Sequence, residues 1–425
     1  MVSNGVLIPE SLQMLRFLSA FAAVGCCAVA VRADNWPAWR GPTGQGHSAE
    51  KNVPLRWGGK EKENVKWKVP LANPGNSTPV VWGDSVFLTQ ANKDGTERSL
   101  ICFARADGKV RWQKDVAYPE KEQNWGGISY ANASAATDGE RVVVGFGSAG
   151  MYCYDFAGKE LWKRTDLGKW EHEFGNGSSP VLYGDLAILW CGPNKNPKHR
   201  NFLLAVDKKT GKTAWEHDEK DGSWGTPIVA EVDGKDQLIL GMGPHLKGFD
   251  PKTGKELWAC KGLTSYVYAS PLYAHGVAVG MSGYGGDSIA VKLGGSGDTT
   301  KDRLWLHKKP ASQRVGSGVI VGEHCYAVDE NGAQHCYELK TGTDLWKDEP
   351  RLKGLTWGSI VHADGRLYLL MRSGDTHVLS AKPEFELLAT NPLGEGENTN
   401  SSVAISDGRV YIRTSKSLWC IEAKR

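Results

Sequence analysis

A short pattern returns eight times along the chain and decides most of what it can fold into. Each time, a pair of small residues, often Ser-Pro, opens a brief apolar stretch that ends at a Gly/Asp turn. The openings are Ser77-Thr78-Pro79, Ala133-Ser134-Ala135, Ser178-Ser179-Pro180, Gly225-Thr226-Pro227, Ala269-Ser270-Pro271, Gly316-Ser317-Gly318, Gly358-Ser359-Ile360 and Ser401-Ser402-Val403. Turns such as Gly83-Asp84, Asp138-Gly139, Gly184-Asp185 and Asp407-Gly408 follow, and then a second apolar run such as VFLTQ, VVVGF or LYLLM. The openings recur about every 42 to 56 residues, the length of one four-stranded propeller blade.

A second signature closes each unit. It reads VDKKTGKTAW (Val206–Trp215), FDPKTGKELW (Phe249–Trp258), YELKTGTDLW (Tyr337–Trp346) and, one residue shorter, YDFAGKELW (Tyr154–Trp162). Looser copies are FARADGKVRW (Phe103–Trp112) and an expanded segment around Ile289–Trp305. An apolar strand ends at Asp or Glu, whose carboxylate can cap the turn, and Gly supplies the positive φ of the return. The next strand carries Trp, which buries a large area against a neighbour. No apolar stripe of helical period persists, and turn signals interrupt every eight to twelve residues or so.

The last copy runs through Asp407-Gly408, RVYIR and SLWCIEAKR without reaching a turn and Trp strand. Near the start, Asn64-Val65-Lys66-Trp67-Lys68-Val69-Pro70 is a Trp strand without a blade of its own. Pairing the two predicts an all-β fold: an eight-bladed β-propeller of four-stranded antiparallel blades over residues 64–425, closed by the N-terminal strand and leaving no open edge.

The TGKxxW-like motif resembles the tryptophan-docking motif of the PQQ-like (pyrroloquinoline quinone) repeat family. That family includes quinoprotein alcohol dehydrogenases and the outer-membrane assembly factor BamB. The segment Asp34-Asn35-Trp36-Pro37-Ala38-Trp39-Arg40-Gly41-Pro42 is similar to the start of many secreted members. The resemblance implies eight blades, with Trp67, Trp112, Trp162, Trp215, Trp258, Trp305 and Trp346 docking between them. For a dehydrogenase it further implies a quinone and a calcium ion on the ring axis, the quinone stacked on a disulfide of adjacent cysteines. The adjacent pair here is Cys26-Cys27, inside the expected leader. The family's calcium ligands and catalytic Asp find no match, and the chain is shorter than those enzymes. Neither PQQ nor calcium is therefore expected as a cofactor.

The leader is read from Arg16 followed by the apolar run FLSAFAAVGCCAVAV (Phe17 to Val31). It is shorter than the roughly 20 residues of a membrane-spanning helix and fits a cleaved signal over residues 1–33, with cleavage after Ala33. A competing reading is lipoprotein processing at Cys26 in Ala23-Val24-Gly25-Cys26. Residues 34–63 form an N-terminal extension. The expected location is the periplasm or envelope, with no membrane span in the mature chain. A formal charge of +3 over 425 residues, without basic clusters interleaved with aromatics, argues against a nucleic-acid partner.

Seven cysteines remain beyond the leader. Cys102, Cys153, Cys336 and Cys420 share one repeat position with Ala205 and Gly248, so it reads as a tight packing slot, with its cysteines too far apart to bridge. No CxxC or HxxxH spacing supports a metal site. Glu171-His172-Glu173 and Asn92-Lys93-Asp94-Gly95 read as a solvated triplet and a hairpin turn. If the ring forms, residues just before each opening lie at one mouth of its channel. With their neighbours, the candidate ligand set is Asn76, Trp125, Asn132, His172, Trp224, Tyr266, Tyr268, Arg314, Trp357, Asn398 and Asn400. Aromatics mixed with amides suit a flat or sugar-like ligand, or a peptide edge. The expected function is a non-catalytic binding or scaffold propeller, for a protein partner in the envelope or a small ligand. The alternatives are a PQQ-dependent oxidoreductase and a carbohydrate-binding propeller.

Overall fold

Strands in a computed structural model, which describes residues 35–123, 128–308 and 313–423, fall into eight sheets arranged as the blades of a ring. Blade 1 shows the plan: Val80–Trp82, Ser85–Ala91, Glu97–Ala104 and Val110–Ala117, each antiparallel to the one before. Its first three strands are almost wholly buried, and its fourth alternates toward solvent. The apolar core lies between blades: Phe87, Leu100 and Cys102 of blade 1 pack with Val142, Val144 and Tyr154 of blade 2.

The ring closes as the two incomplete ends require. Val65–Pro70 pairs antiparallel with Ser417–Glu422, the third strand of blade 8, setting Trp67 opposite Cys420 and Pro70 opposite Ser417. Lys66 Nζ meets Glu422 at 2.6 Å. Across the seam, Arg105 of blade 1 donates to Tyr411 Oη (3.0 Å) and Ser406 Oγ (3.1 Å) of blade 8.

The middle residue of every opening is Ser or Thr, and the hydroxyls form a belt. The backbone N–H of Thr78 donates to Ser134 Oγ (2.9 Å), Ser134 to Ser179 (3.0 Å), Ser179 to Thr226 (2.9 Å) and Thr226 to Ser270 (2.9 Å). Ser270 then donates to Ser317 (2.9 Å), Ser317 to Ser359 (2.9 Å), Ser359 to Ser402 (2.8 Å), and Ser402 back to Thr78 Oγ1 (3.3 Å). All eight residues are buried. A buried N–H left unpaired is costly, so a hydroxyl at this position answers the same need in each blade.

Outside the belt, the motif tryptophans dock on the next blade. Trp112 Nε1 donates to Phe156 O (2.9 Å), Trp162 to Lys208 O (2.9 Å), Trp215 to Pro251 O (3.1 Å), Trp305 to Leu339 O (2.9 Å), Trp346 to Pro383 O (2.6 Å) and Trp67 to Arg105 O (3.1 Å). Except for Pro383, whose turn has no glycine, each acceptor lies in the turn whose glycine the ring covers; at Gly211 (φ +72°) an added Cβ would stand 2.8 Å from the Trp162 ring. Trp258 departs from the expected docking. The next blade's turn is the expanded segment, so Trp258 lies over Gly248 and donates to Gln237 Oε1 of its own blade (2.7 Å). The expanded segment instead adds Gly297–Asp298 as a fifth strand, parallel to Trp258 and Ala259.

Blade 6 varies in the opposite sense. It has three strands, Val319–Val321, His324–Val328 and Gln334–Glu338, and only a single bridge, Tyr337 to Asp344, where the fourth would run. The seven cysteines of the described region are buried and unpaired, with Cys102, Cys153 and Cys420 each directly across from a motif tryptophan.

The extension proves to be part of the ring. Trp36 pairs with Val81, near the far end of the innermost strand of blade 1. Pro37 O accepts from Thr137 N of blade 2 (2.9 Å), and Gln45 Oε1 from Tyr273 N of blade 5 (2.7 Å). The wholly buried Arg40 donates to the carbonyls of Ser317 and Gly318 in blade 6. Ser48 and Gly46 bond both sides of His362 in blade 7, and Trp57 stacks on Tyr368 (6.3 Å between centroids). Residues 35–57 therefore cross the channel at the end away from Asn76.

Candidate functional site at the open mouth of the ring

The inner strands all begin at the opposite end, and the residues preceding them line its mouth in three arcs. Over blades 3 to 5 the side chains are aromatic. His172, in the loop entering blade 3, meets Trp224 edge to face at 4.7 Å; Trp224 meets Tyr268 at 5.0 Å and Tyr266 at 5.8 Å. Phe174 completes the cluster, 6.2 Å from Tyr266. Such tilted pairs hold one another rigidly, and Trp224 is also tied by Nε1 to Gly175 O (2.9 Å). Burial lowers the His172 pKa, and its Nδ1 accepts the Phe174 N–H (3.2 Å), so near neutral pH the ring is uncharged with its proton on Nε2.

Over blades 8, 1 and 2 the mouth is lined by amides in series. Asn400 donates to Asn76 (3.5 Å), Asn76 to Asn132 (2.7 Å) and Asn132 to Asn176 O (2.9 Å). Asn398 is exposed beside them, its carbonyl accepting from Ser415 N. The third arc, over blades 6 and 7, holds Trp357, whose face is covered by the Arg372 guanidinium at 4.5 Å and whose Nε1 reaches Glu330 (3.3 Å). In the amide orientation that satisfies both groups, Gln313 also donates to Glu330 (3.2 and 3.3 Å).

Arg314 does not face the mouth. It is wholly buried between blades 5 and 6, donating to Asp329 (2.8 Å), Ser288 Oγ (2.7 Å) and Tyr337 Oη (2.9 Å). Trp125 lies outside the described residues, as do the leader and Cys26-Cys27. Phe174, Asn176, Tyr284, Glu330 and Arg372 were absent from the sequence-derived set. Tyr284 and Glu330 sit in glycine-containing turns, Gly283-Tyr284-Gly285 and Glu330-Asn331-Gly332, at the same level as the openings, and that was the available signal. Glu171-His172-Glu173 does not converge: Glu173 pairs with Lys195 (2.8 Å), Glu171 with Asn196 (3.0 Å), and His172 turns inward. Asn92 to Gly95 is a hairpin turn closed by Gly95 N to Asn92 O. Elsewhere His217, Glu219 and Glu256 come close enough to ligate a cation, but the Lys247 ammonium sits between the two carboxylates (2.8 and 2.9 Å).

These residues do not fit a quinone held as the resemblance implies. The described cysteines occupy separate buried positions, and the Arg372 guanidinium covers a face of Trp357. The mouth offers a ligand apolar contact on one side and amide hydrogen bonds on the other.

A closed eight-bladed ring with docking tryptophans, covered at one end by residues 35–57, defines a propeller of the PQQ-like class. Within that class the chain belongs to the family described as "Outer membrane protein assembly factor BamB", which matches residues 59–168 and 96–348. It is 24% identical over 373 residues to the outer membrane protein assembly factor BamB of Burkholderia pseudomallei, covering 81% of this chain and 86% of that one. A 129-residue stretch, 27% of this chain, is 32% identical to 19% of a quinoprotein ethanol dehydrogenase of Pseudomonas putida. In fold the chain is similar to the crystal structure of BamB from Moraxella catarrhalis, with a TM-score of 0.60 at 14% identity over 84% of this chain and 97% of that one. Among the described residues no helix is long and apolar enough to cross a membrane.

Proposed function

We propose that this chain is a non-catalytic binding propeller of the cell envelope that docks a protein partner at the open mouth. The observation that carries this reading is Tyr284, which stands 67% exposed, bridged to Gln313, in a turn whose Gly283 packs on the Tyr268 ring. A large exposed aromatic on a preorganised base is the usual anchor of a protein interface. Similarity to BamB over most of both chains favours a partner in outer-membrane assembly, met at the end that residues 35–57 do not cover. In this reading residues 1–33 direct export, the location is periplasmic or envelope-bound, and the propeller works without a quinone.

The discriminating experiment adds PQQ and calcium to the purified chain and follows thermal unfolding and dye-linked alcohol oxidation. An unchanged melting temperature and no oxidation are expected. A shift of several degrees together with turnover would replace the scaffold reading with a quinone-dependent oxidoreductase. A sugar reading of the aromatic arc predicts signal on a glycan array, and the scaffold reading predicts none.

A further inference from the structure

Residues 35–57 are not held evenly across the far end of the channel. Trp36 and Arg40 are buried at one side, and Val53, Pro54 and Trp57 at the other. Between them Pro42, Thr43, Ala49, Lys51 and Asn52 are exposed, and the tie at their centre is His47. Its neighbours bond both sides of His362 in blade 7: Ser48 N–H donates to His362 O (2.9 Å), and His362 N–H to Gly46 O (2.8 Å). The two imidazoles meet edge to face, with centroids 5.3 Å apart and Nδ1 facing Nδ1 at 3.2 Å. Further along, the Glu50 carboxylate accepts the N–H groups of Asp407 and Gly408 in blade 8, and Asn52 N–H donates to Asp364 (3.0 Å).

A hydrogen bond between two Nδ1 atoms works with one proton between them, one ring donating and the other accepting through its lone pair. A second proton sets N–H against N–H and builds positive charge at contact distance. The charges around the pair oppose it further: Arg40 of the segment acts on His47, and Lys51 on His362. Asp364 of blade 7 is the carboxylate that acts on His362, and it already faces Arg366 (3.6 Å), Lys51 (4.0 Å) and Asn52 N–H. Blade 6 presents the Ile320 backbone to His47. Burial pushes the His47 imidazole down, His362 and Arg40 add to this, and Ile320 offsets only part, leaving it at about 4. Burial and Lys51 likewise lower His362, against Asp364.

We propose that His47 and His362 form an acid-released latch: the neutral pair holds residues 42–52 over the far end of the channel, and protonation frees that stretch while Arg40 and Trp57 stay anchored. Histidines held low in the latched state supply a restraint that is complete above their free value near 6.5 and lost as pH falls toward the latched one. On the His47 values, local opening should rise about thirtyfold between pH 7.5 and pH 5.0. The latch concerns the covered end alone, so it stands whatever meets the mouth.

The test is amide hydrogen exchange of the full folded chain at pH 7.5 and pH 5.0, with rates corrected for the intrinsic effect of pH. Peptides containing Ser48 and His362 should open at least tenfold more at pH 5.0, while the belt amides of Thr78 and Ser270 keep their protection. In H47N/H362N the two pH values should give the same opening, whatever its level, and H362N alone should respond to pH less than the parent chain. Equal opening of the parent at both pH values, a full pH response in H47N/H362N, or an equal loss of protection in the belt would overturn the latch.

Discussion

Ser270 does in one residue what holds the ring together at every blade. Its Oγ accepts the Thr226 N–H (2.9 Å) and donates to Thr226 O (2.7 Å), while its own N–H reaches Ser317. Replacing it with Ala removes the acceptor and leaves a buried amide unpaired, which costs about 1–3 kcal/mol. S270A should therefore lower the unfolding free energy by about that amount, read as a lower urea midpoint with little change in slope; an unchanged midpoint would mean the belt is incidental. His335 provides a pH-dependent counterpart. Burial alone would lower its pKa, but Asp329 and Asp344 outweigh burial and the nearby Arg314, and hold it above the usual histidine value. Asp344 is held low by the same pair, despite its own burial. A raised histidine contributes stability that is complete below its unfolded pKa and lost as pH rises through the folded one. The melting-temperature deficit of H335Q should accordingly be larger at pH 5.5 than at pH 8.5, and an equal deficit at both would contradict the ion pairing.

At the scale of the element, the Trp-on-glycine dock separates contact from strain. Gly211 and Gly184 both have positive φ, +72° and +54°, but an added Cβ meets the Trp162 ring at Gly211 and open space at Gly184. Left-handed backbone at a non-glycine residue costs about 1–3 kcal/mol. G184A should show that strain alone, and G211A should be clearly worse in the same denaturation assay. Equal losses would mean the dock adds nothing. Much of this scale was legible in the sequence, because Trp67, the TGK turns and the small openings repeat, and repetition identifies position. The hydroxyl belt was written there too, as eight consecutive Ser or Thr choices, though its reading as a hydrogen-bonded circle needed the blades side by side. Three features broke the repeat and were not legible. Trp258 lost its dock because of an insertion in the following blade. Blade 6 keeps its motif yet drops the strand after it. Arg314 sits next to the mouth position, and a shift of one residue in an extended segment reverses the side a side chain faces, taking it into the blade seam.

For the whole molecule, two long-range devices govern behaviour: the strand Val65–Pro70 that completes blade 8, and the segment 35–57 that covers the far end of the channel. Neither the crossing nor its contacts follow a local period, so sequence left the role of residues 34–63 open. Val69 and Leu418 are cross-strand partners in the closing pair. The double variant V69C/L418C should form a disulfide in the folded chain and raise its stability by a few kcal/mol, the scale expected when a very long loop is closed. Two free thiols that persist under oxidising conditions would contradict that register. The central proposal is that partners meet the chain at the aromatic mouth, the end that residues 35–57 do not cover. The most direct measurement places a photocrosslinking residue at Tyr284 and, as a control, at Leu304, which is exposed on the outer strand of blade 5. The account predicts that irradiation in cells gives one dominant protein adduct from Tyr284, an outer-membrane assembly component, and none from Leu304. Equal labelling from both positions, or none from Tyr284, would contradict it.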